Sequence, residues 1–187
     1  MNLFEQIKNY TPIDETEAAD QTQMLSFMQR FDNYLSRENA FVHFCASAFV
    51  ANPARNKAVM VYHNIYDGWI APGGHADEEA DLLSVALREV EEETGLAARP
   101  LSEAPFAIQS EAIMGHFKKG KYVPSHLHFN VIFLLEADDS QPLAFRADES
   151  KGVDWFSLEQ FTDSSLVIPL ALRVQKRMVD KLKTLSC

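Results

Sequence analysis

The stretch Gly73–Leu96, GGHADEEADLLSVALREVEEETGL, decides the reading of the chain. Two glycines open it, apolar and acidic residues follow, and Gly95 stands where a helix would end in the left-handed conformation at its C′ position. Leu82, Leu83, Ala86, Leu87 and Val90 recur at three- and four-residue steps, which predicts one buried helix face. Glu89, Glu92 and Glu93 stand at i, i+3 and i+4, so their carboxylates project from one face within reach of each other. They fall in the last turns, where the helix dipole disfavours acids and like charges at this spacing repel. A cluster destabilised on both counts calls for a cation, and closely set carboxylates are hard-oxygen ligands suited to Mg²⁺ or Mn²⁺. Arg88 is the basic residue of this turn, placed to pair with and orient the carboxylates.

Acidic helix faces are common, and the run EVEEE by itself reads most simply as a solvated one. The complete spacing is more specific. Gly74, Arg88, Glu89, Glu92, Glu93 and Gly95, with apolar Val90 and Leu96, fit the pattern G-x5-E-x7-R-E-U-x-E-E-x-G-U, where U is apolar, at every fixed position but one. On these residues the chain resembles the Nudix hydrolases. The exception is the first glutamate of the pattern, whose place is taken by Ala80, with Glu79 one residue earlier and Asp81 one later. In the family that glutamate supports the junction of loop and helix, and a shifted acid at the helix start would still favour the N-terminal dipole.

The resemblance implies an α/β fold, an α/β/α sandwich around a mixed β-sheet, and the order of elements along the chain is compatible with it. Residues 39–187 would form the Nudix domain and residues 1–38 an N-terminal helical extension. In the extension Met24, Met28, Phe31 and Leu35 follow the helical period, and Asp14 or Thr16 would cap its start after Pro12. Ala40–Ala51 and Lys57–His63 read as strands joined by a turn at Asn52–Asn56. Beyond the box, Ala107–Phe117 reads as a strand, the run from Lys118 to Lys121 as a turn, and Leu127–Glu136 as a nearly all-apolar central strand. Gly152–Phe156 makes a last strand. Pro169 opens a final helix with Leu170, Val174, Met178 and Leu182 inward and Arg173, Lys176, Arg177, Lys181 and Lys183 on a solvated side.

Length and composition agree with one domain or a domain with an arm. The 187 residues are 47% hydrophobic and include 13 phenylalanines, enough for a substantial core. A net charge of −10 argues against a surface for long nucleic acid or an anionic membrane. An acidic enzyme that takes a polyanion needs metal ions and local basic residues to offset repulsion. Two cysteines, Cys45 and Cys187, suggest neither a disulfide framework nor a metal motif. The start MNLFEQIKNY lacks a signal-peptide core, and a cytoplasmic protein is the expectation.

For the chemistry, the resemblance implies hydrolysis of a diphosphate linkage in a nucleoside diphosphate derivative by water attacking phosphorus. Glu89, Glu92 and Glu93 are the implied ligands of Mg²⁺ or Mn²⁺, with the main-chain carbonyl of Gly73, and Arg88 orients the glutamates. The general base is either Glu149, six residues before Trp155, or Glu89. Substrate-binding candidates are Lys121 and Tyr122, in a segment that also holds Lys118 and Lys119; His126 and His128, which alternate and so share a strand face; and Trp69, with Tyr66, before the glycines. The expected partner is a small nucleotide or diphosphate, with no membrane and with a homodimer left open. Two rivals remain. An isopentenyl diphosphate isomerase of this fold needs a cysteine near the opening of the box, where WIAPGGHA has none. A catalytically weak nucleotide sensor is disfavoured because all three helix glutamates are present.

Overall fold

The computed structural model describes residues 1–118, 120–147 and 150–185. In chain order the elements are α1 (Leu3–Asn9), α2 (Glu15–Met28), β1 (Val42–Ala51), β2 (Lys57–His63), β3 (Gly68–Ile70), β4 (Gly73–His75) and α3 (Leu82–Thr94). Then come β5 (Arg99–Pro100), β6 (Ala107–Ile113), β7 (His116–Lys118), β8 (Lys121–Val123), β9 (His126–Glu136), β10 (Ser150–Ser157), α4 (Leu158–Phe161) and α5 (Pro169–Thr184).

The helix of the Gly73–Leu96 stretch begins and ends for local reasons. The Asp81 carboxylate accepts from the Ser84 amide and hydroxyl, capping α3, and Glu79 accepts from the Asp81 amide. The two acids flanking Ala80 thus organise the junction. Gly95, at φ 73°, ends the helix with its N–H on the Glu91 carbonyl. The buried stripe is Leu82, Val85, Ala86, Val90, Glu93 and Thr94. Leu83 and Leu87, expected inside, are only partly buried, because the stripe centres on Val85 and carries Glu93 inward with it.

The sheet is mixed. β1 and β9 run parallel through its centre, with His43 opposite His128 and Cys45 opposite Asn130. β2 and β4 pair antiparallel to β1, β6 and β5 antiparallel to β9, β3 and β10 antiparallel to β2. Alternation along β1 and β9 splits their side chains between two layers. Phe44, Ala46, Ala48 and Val50 meet Phe129, Val131, Phe133 and Leu135 in a core shared with α3 and the N-terminal helices. Phe49, Ala51, Ile132 and Leu134 face the other way and pack with α5. This gives the helix–sheet–helix layering expected. The N-terminal half of that second face is polar instead, carrying His43, Cys45, Ser47, His126, His128 and Asn130.

Three sequence expectations need correction. The N-terminal helical pattern does not run to Leu35: α2 stops at Met28, and Phe31 is 44% exposed, stacked on Phe27 at 4.5 Å. Asp14 does cap α2 as predicted. The single strand expected over Ala107–Phe117 is broken between Ile113 and His116, where the Gly115 amide donates to Ser125 Oγ and the chain turns into the separate β7–β8 hairpin. Arg177 does not lie on the solvated side of α5. It is 5% exposed and bridges Asp14 (3.1 Å) and the wholly buried Glu17 (3.5 Å), while Lys181 donates to Tyr10 Oη and the Phe106 carbonyl. With Leu3, Ile7, Met24 and Met28 in the first core, these ion pairs tie residues 1–28 to the rest of the molecule.

Candidate active site

The end of α3 meets β4 because the two opening glycines admit a close approach. A Cβ on Gly73 would fall 2.6 Å from the Ala46 carbonyl oxygen and 2.7 Å from Ser47 Cα, so strand β4 can press onto β1 only without one. A Cβ on Gly74 would fall 2.5–2.7 Å from the carboxyl group of Glu89. Glycine at 74 therefore sets where that acid rests. Glu93, 4% exposed, accepts from the Gly73 amide at 2.9 Å. Glu92 is held between two guanidinium groups, Arg88 at 3.9 Å and Arg146 at 3.1 Å, and Arg88 also lies 3.6 Å from Glu89.

All three glutamates line one cavity of about 430 Å³ together with Gly73 and Gly74. Its other walls come from the polar face of β1 and β9, from α5, and from the segment at residues 63–66. Glu111 of β6, opposite His128 in the register, also lines it, and burial pushes its carboxyl up to about 7. Asn130 Oδ1 and Gln175 Oε1 belong to cavity-lining residues and are buried acceptors with no hydrogen-bond partner among the described residues. A second cavity of about 340 Å³ adjoins the first through His63, Tyr66, His75 and His128.

The candidates from sequence are distributed unevenly. Gly73, Glu89, Glu92, Glu93 and His128 line the first cavity; Tyr66 lines both, and its burial raises its hydroxyl pKa. Arg88 lines neither cavity and lies beside Glu89 and Glu92. His126 shares a strand face with His128 as expected, the two Nε2 atoms 3.0 Å apart, and both line the second cavity. Tyr122 also lines the second cavity, whereas Lys121 is exposed in the β7–β8 hairpin. Trp69 packs edge-on against Tyr62 and Phe156 and lines neither cavity. Glu149 and Lys119 lie outside the described residues, as does Cys187.

The donor set suits a hard divalent cation: carboxylates gathered beside a glycine backbone, at a helix C-terminus whose dipole favours positive charge. Comparison with known proteins identifies the family. The family model for the NUDIX domain matches residues 41–181, three-quarters of the chain. The chain belongs to the Nudix hydrolase family. An RNA pyrophosphohydrolase from Pelagibacter ubique (strain HTCC1062) is 30% identical over 119 residues, 62% of this chain and 74% of that one. An m7GpppN-mRNA hydrolase, NUDT17 of Xenopus laevis, is 29% identical over 86 residues, 46% of this chain but only 27% of that longer protein. The crystal structure of a MutT protein from Methanosarcina mazei Go1 superposes on 76% of this chain and 96% of its own, with a TM-score of 0.57 at 17% identity, a likeness of fold.

Three features of this Nudix domain were not legible beforehand. Arg146 reads as one basic residue in a polar loop until the fold sets it on Glu92. Glu111 sits in the strand AIQSEAI, where alternation gives its face but not that the face is a cavity. Gln175 hides in the apolar stripe of α5. A polar residue next to Val174 and one turn from Met178, beside the predicted apolar stripe, was the available signal for it.

Proposed function

We propose that this Nudix domain is a divalent-metal-dependent pyrophosphohydrolase that cleaves a diphosphate linkage in a small nucleoside diphosphate derivative or nucleoside triphosphate. The reading rests on one observation above others: Glu89, Glu92 and Glu93 converge with Gly73 and Gly74 on a single cavity wall. Glu89, Glu92 and Glu93, with the Gly73 carbonyl, would hold Mg²⁺ or Mn²⁺, which supplies charge neutralisation at non-bridging oxygens and acidifies bound water. The protein's own groups do the rest. Arg88 and Arg146 fix Glu92 through charge-assisted contacts, and Gly74 leaves Glu89 its place. Glu111, near neutrality in its proton affinity, joins Glu149 and Glu89 as a candidate acceptor of the proton from the attacking water. Asn130 and Gln175 offer buried carbonyl oxygens to ring or exocyclic N–H groups of a base.

The names of the two curated relatives bring RNA 5′ ends into consideration, while the acidic surface favours small substrates. No helix among the described residues is long and apolar enough to cross a membrane, and a buried reduced Cys45 with a nucleotide substrate fits the cytoplasm. The test is a panel of nucleotide sugars, dinucleoside polyphosphates, nucleoside triphosphates and short RNAs with triphosphate or capped ends. Each is incubated with Mg²⁺ or Mn²⁺ in isotopically labelled water. Metal-dependent release of a phosphate product carrying one solvent oxygen supports the proposal, and the best substrate names the activity. Tight binding of one compound without turnover of any would replace it with the nucleotide-sensor reading.

A further inference from the structure

All six histidines of the chain, His43, His63, His75, His116, His126 and His128, line the second cavity. Sequence alternation accounts for His126 and His128, and the sheet brings His43 and His75 to them, while His63 comes from the end of β2 and His116 from the β7–β8 hairpin. Parallel pairing sets His43 opposite His128, antiparallel pairing sets His75 opposite Cys45, and both pairs occupy the same face. One ligand atom from each of His43, Cys45, His75 and His128 lies within 4.8 Å of the others. Four ligands around a tetrahedral zinc ion stand about 3.4–3.8 Å apart, from Zn–N near 2.1 Å and Zn–S near 2.3 Å. Side-chain rotations of about 1 Å close that gap.

A second observation points to a cation. His43 Nδ1 lies 3.2 Å from the Asn39 carbonyl, an acceptor, so Nδ1 carries the hydrogen and Nε2 holds a lone pair. That Nε2 is buried and has no partner among the described residues. Backbone anchoring of one ring nitrogen with the other bare is how proteins prepare histidine ligands. His126 is anchored likewise, Nδ1 to the Pro124 carbonyl at 2.8 Å, and its Nε2 meets His128 Nε2 at 3.0 Å, orienting that ring. The rings of His43, His75 and His128 pack with centroids 4.8–5.1 Å apart, which disfavours several positive charges at once. An anion would find few donors here. Arg37, the cation of this rim, is taken by Asp77 through two contacts of 2.5 and 2.6 Å. The buried thiol of Cys45 adds a soft ligand that a phosphate could not use.

We propose that His43, Cys45, His75 and His128 form a site for a borderline-soft divalent transition metal of the zinc class, separate from the carboxylate site on α3. On binding, the Cys45 thiol loses its proton to solvent and the sulfur becomes a ligand, with no change of oxidation state. The ion ties β1, β4 and β9 together at the residue that follows Gly73 and Gly74. Four protein ligands make it a closed, structural site that steadies the glycine strand beside the glutamates.

The test uses full-length protein freed of metal by chelation and titrated with Zn²⁺ or Co²⁺ in millimolar Mg²⁺. The expected result is one tightly held equivalent of Zn²⁺, a rise in Tm, and for Co²⁺ an intense thiolate-to-metal charge-transfer band that only a cysteine ligand produces. Glu92→Gln retains the Zn²⁺ equivalent and the band, Cys45→Ser loses the band, and His43→Gln loses at least tenfold in zinc affinity. Wild-type protein that shows no charge-transfer band, or zinc binding that survives His43→Gln but is lost in Glu92→Gln, overturns the proposal. The band is read on wild-type protein alone, so misfolding of a variant does not blunt the test. A cluster that binds inorganic phosphate and not Zn²⁺ also overturns it and makes it an anion pocket.

Discussion

Alanine at Gly74 and alanine at Gly73 are the same chemical change one residue apart, and they should fail in different ways. At Gly74 the nearest atoms to the added methyl are those at the end of the Glu89 side chain, at 2.5–2.7 Å where ordinary contact begins near 3.4 Å. The carboxylate must withdraw by about 0.7–0.9 Å. Glu89 is a flexible side chain, so the rearrangement costs roughly 0.5–1.5 kcal/mol as an off-rotamer shift. A displacement near 1 Å at a catalytic group costs about 100-fold in rate. Gly74→Ala should therefore keep a Tm close to wild type while kcat/KM falls by about two orders of magnitude. At Gly73 the methyl meets backbone, the Ala46 carbonyl and Ser47 Cα, which cannot yield without parting β4 from β1. Gly73→Ala should lose several degrees of Tm as well as activity. Thermal melts and steady-state kinetics on both variants read the contrast. Full activity in a folded Gly74→Ala protein would mean that the position of the Glu89 carboxylate does not matter, refuting the assignment of that acid to the machinery.

Arg177→Met leaves the buried Glu17 carboxylate without its guanidinium partner and should cost about 3–5 kcal/mol in urea unfolding, a loss that an exposed arginine would not show. Glu111 binds a proton more tightly folded than unfolded, so its contribution to stability is complete below about pH 4.5 and is lost as pH rises to about 7. The span corresponds to about 3 kcal/mol, and Glu111→Gln, measured in chelator, should remove that part of the pH slope. The buried histidines act in the opposite sense: burial and neighbouring imidazoles push His128 down to about 2, so the unfolded chain takes up a proton near pH 6.5 that the folded one refuses. Metal-free protein should lose stability as pH falls below about 6, and His128→Asn should flatten that limb of the curve.

What could be read from sequence depended on whether neighbours in space were neighbours in the chain. Glu89, Glu92 and Glu93 are one helical turn, so their shared face follows from spacing alone, and Gly95 and Asp14 ended and began helices through local backbone chemistry. The central strand was legible because its apolar run is nearly continuous. The paired histidines of β9 were half legible, since alternation put His126 and His128 on one side without saying that His43 and His75 would join them from β1 and β4. Arg177 was misplaced because a basic residue on a helix is solvated by default. Its burial is tolerable because the distant Asp14 and Glu17 pair with it and Thr16 and the Ile108 carbonyl accept from it. Gly73 and Gly74 were legible only as the opening of the stretch; both sit in a strand, where close approach to β1 and to Glu89 requires glycine.

If the carboxylates of α3 form a metal-dependent hydrolytic centre, replacing Glu92 tests it most cleanly. Its side chain is 42% exposed and contributes little to folding, so replacing it changes the site and not the scaffold. The measurement is the Mg²⁺- or Mn²⁺-dependent rate of cleavage of the best substrate by wild type and by Glu92→Gln. Loss of an outer-shell partner alone costs about 10–100-fold at metal sites, so loss of a ligand should cost at least about 100-fold. The predicted result is a drop of that size at unchanged Tm, partly recovered at high metal concentration. A Glu92→Gln protein that turns over at the wild-type rate with the wild-type metal requirement would contradict it.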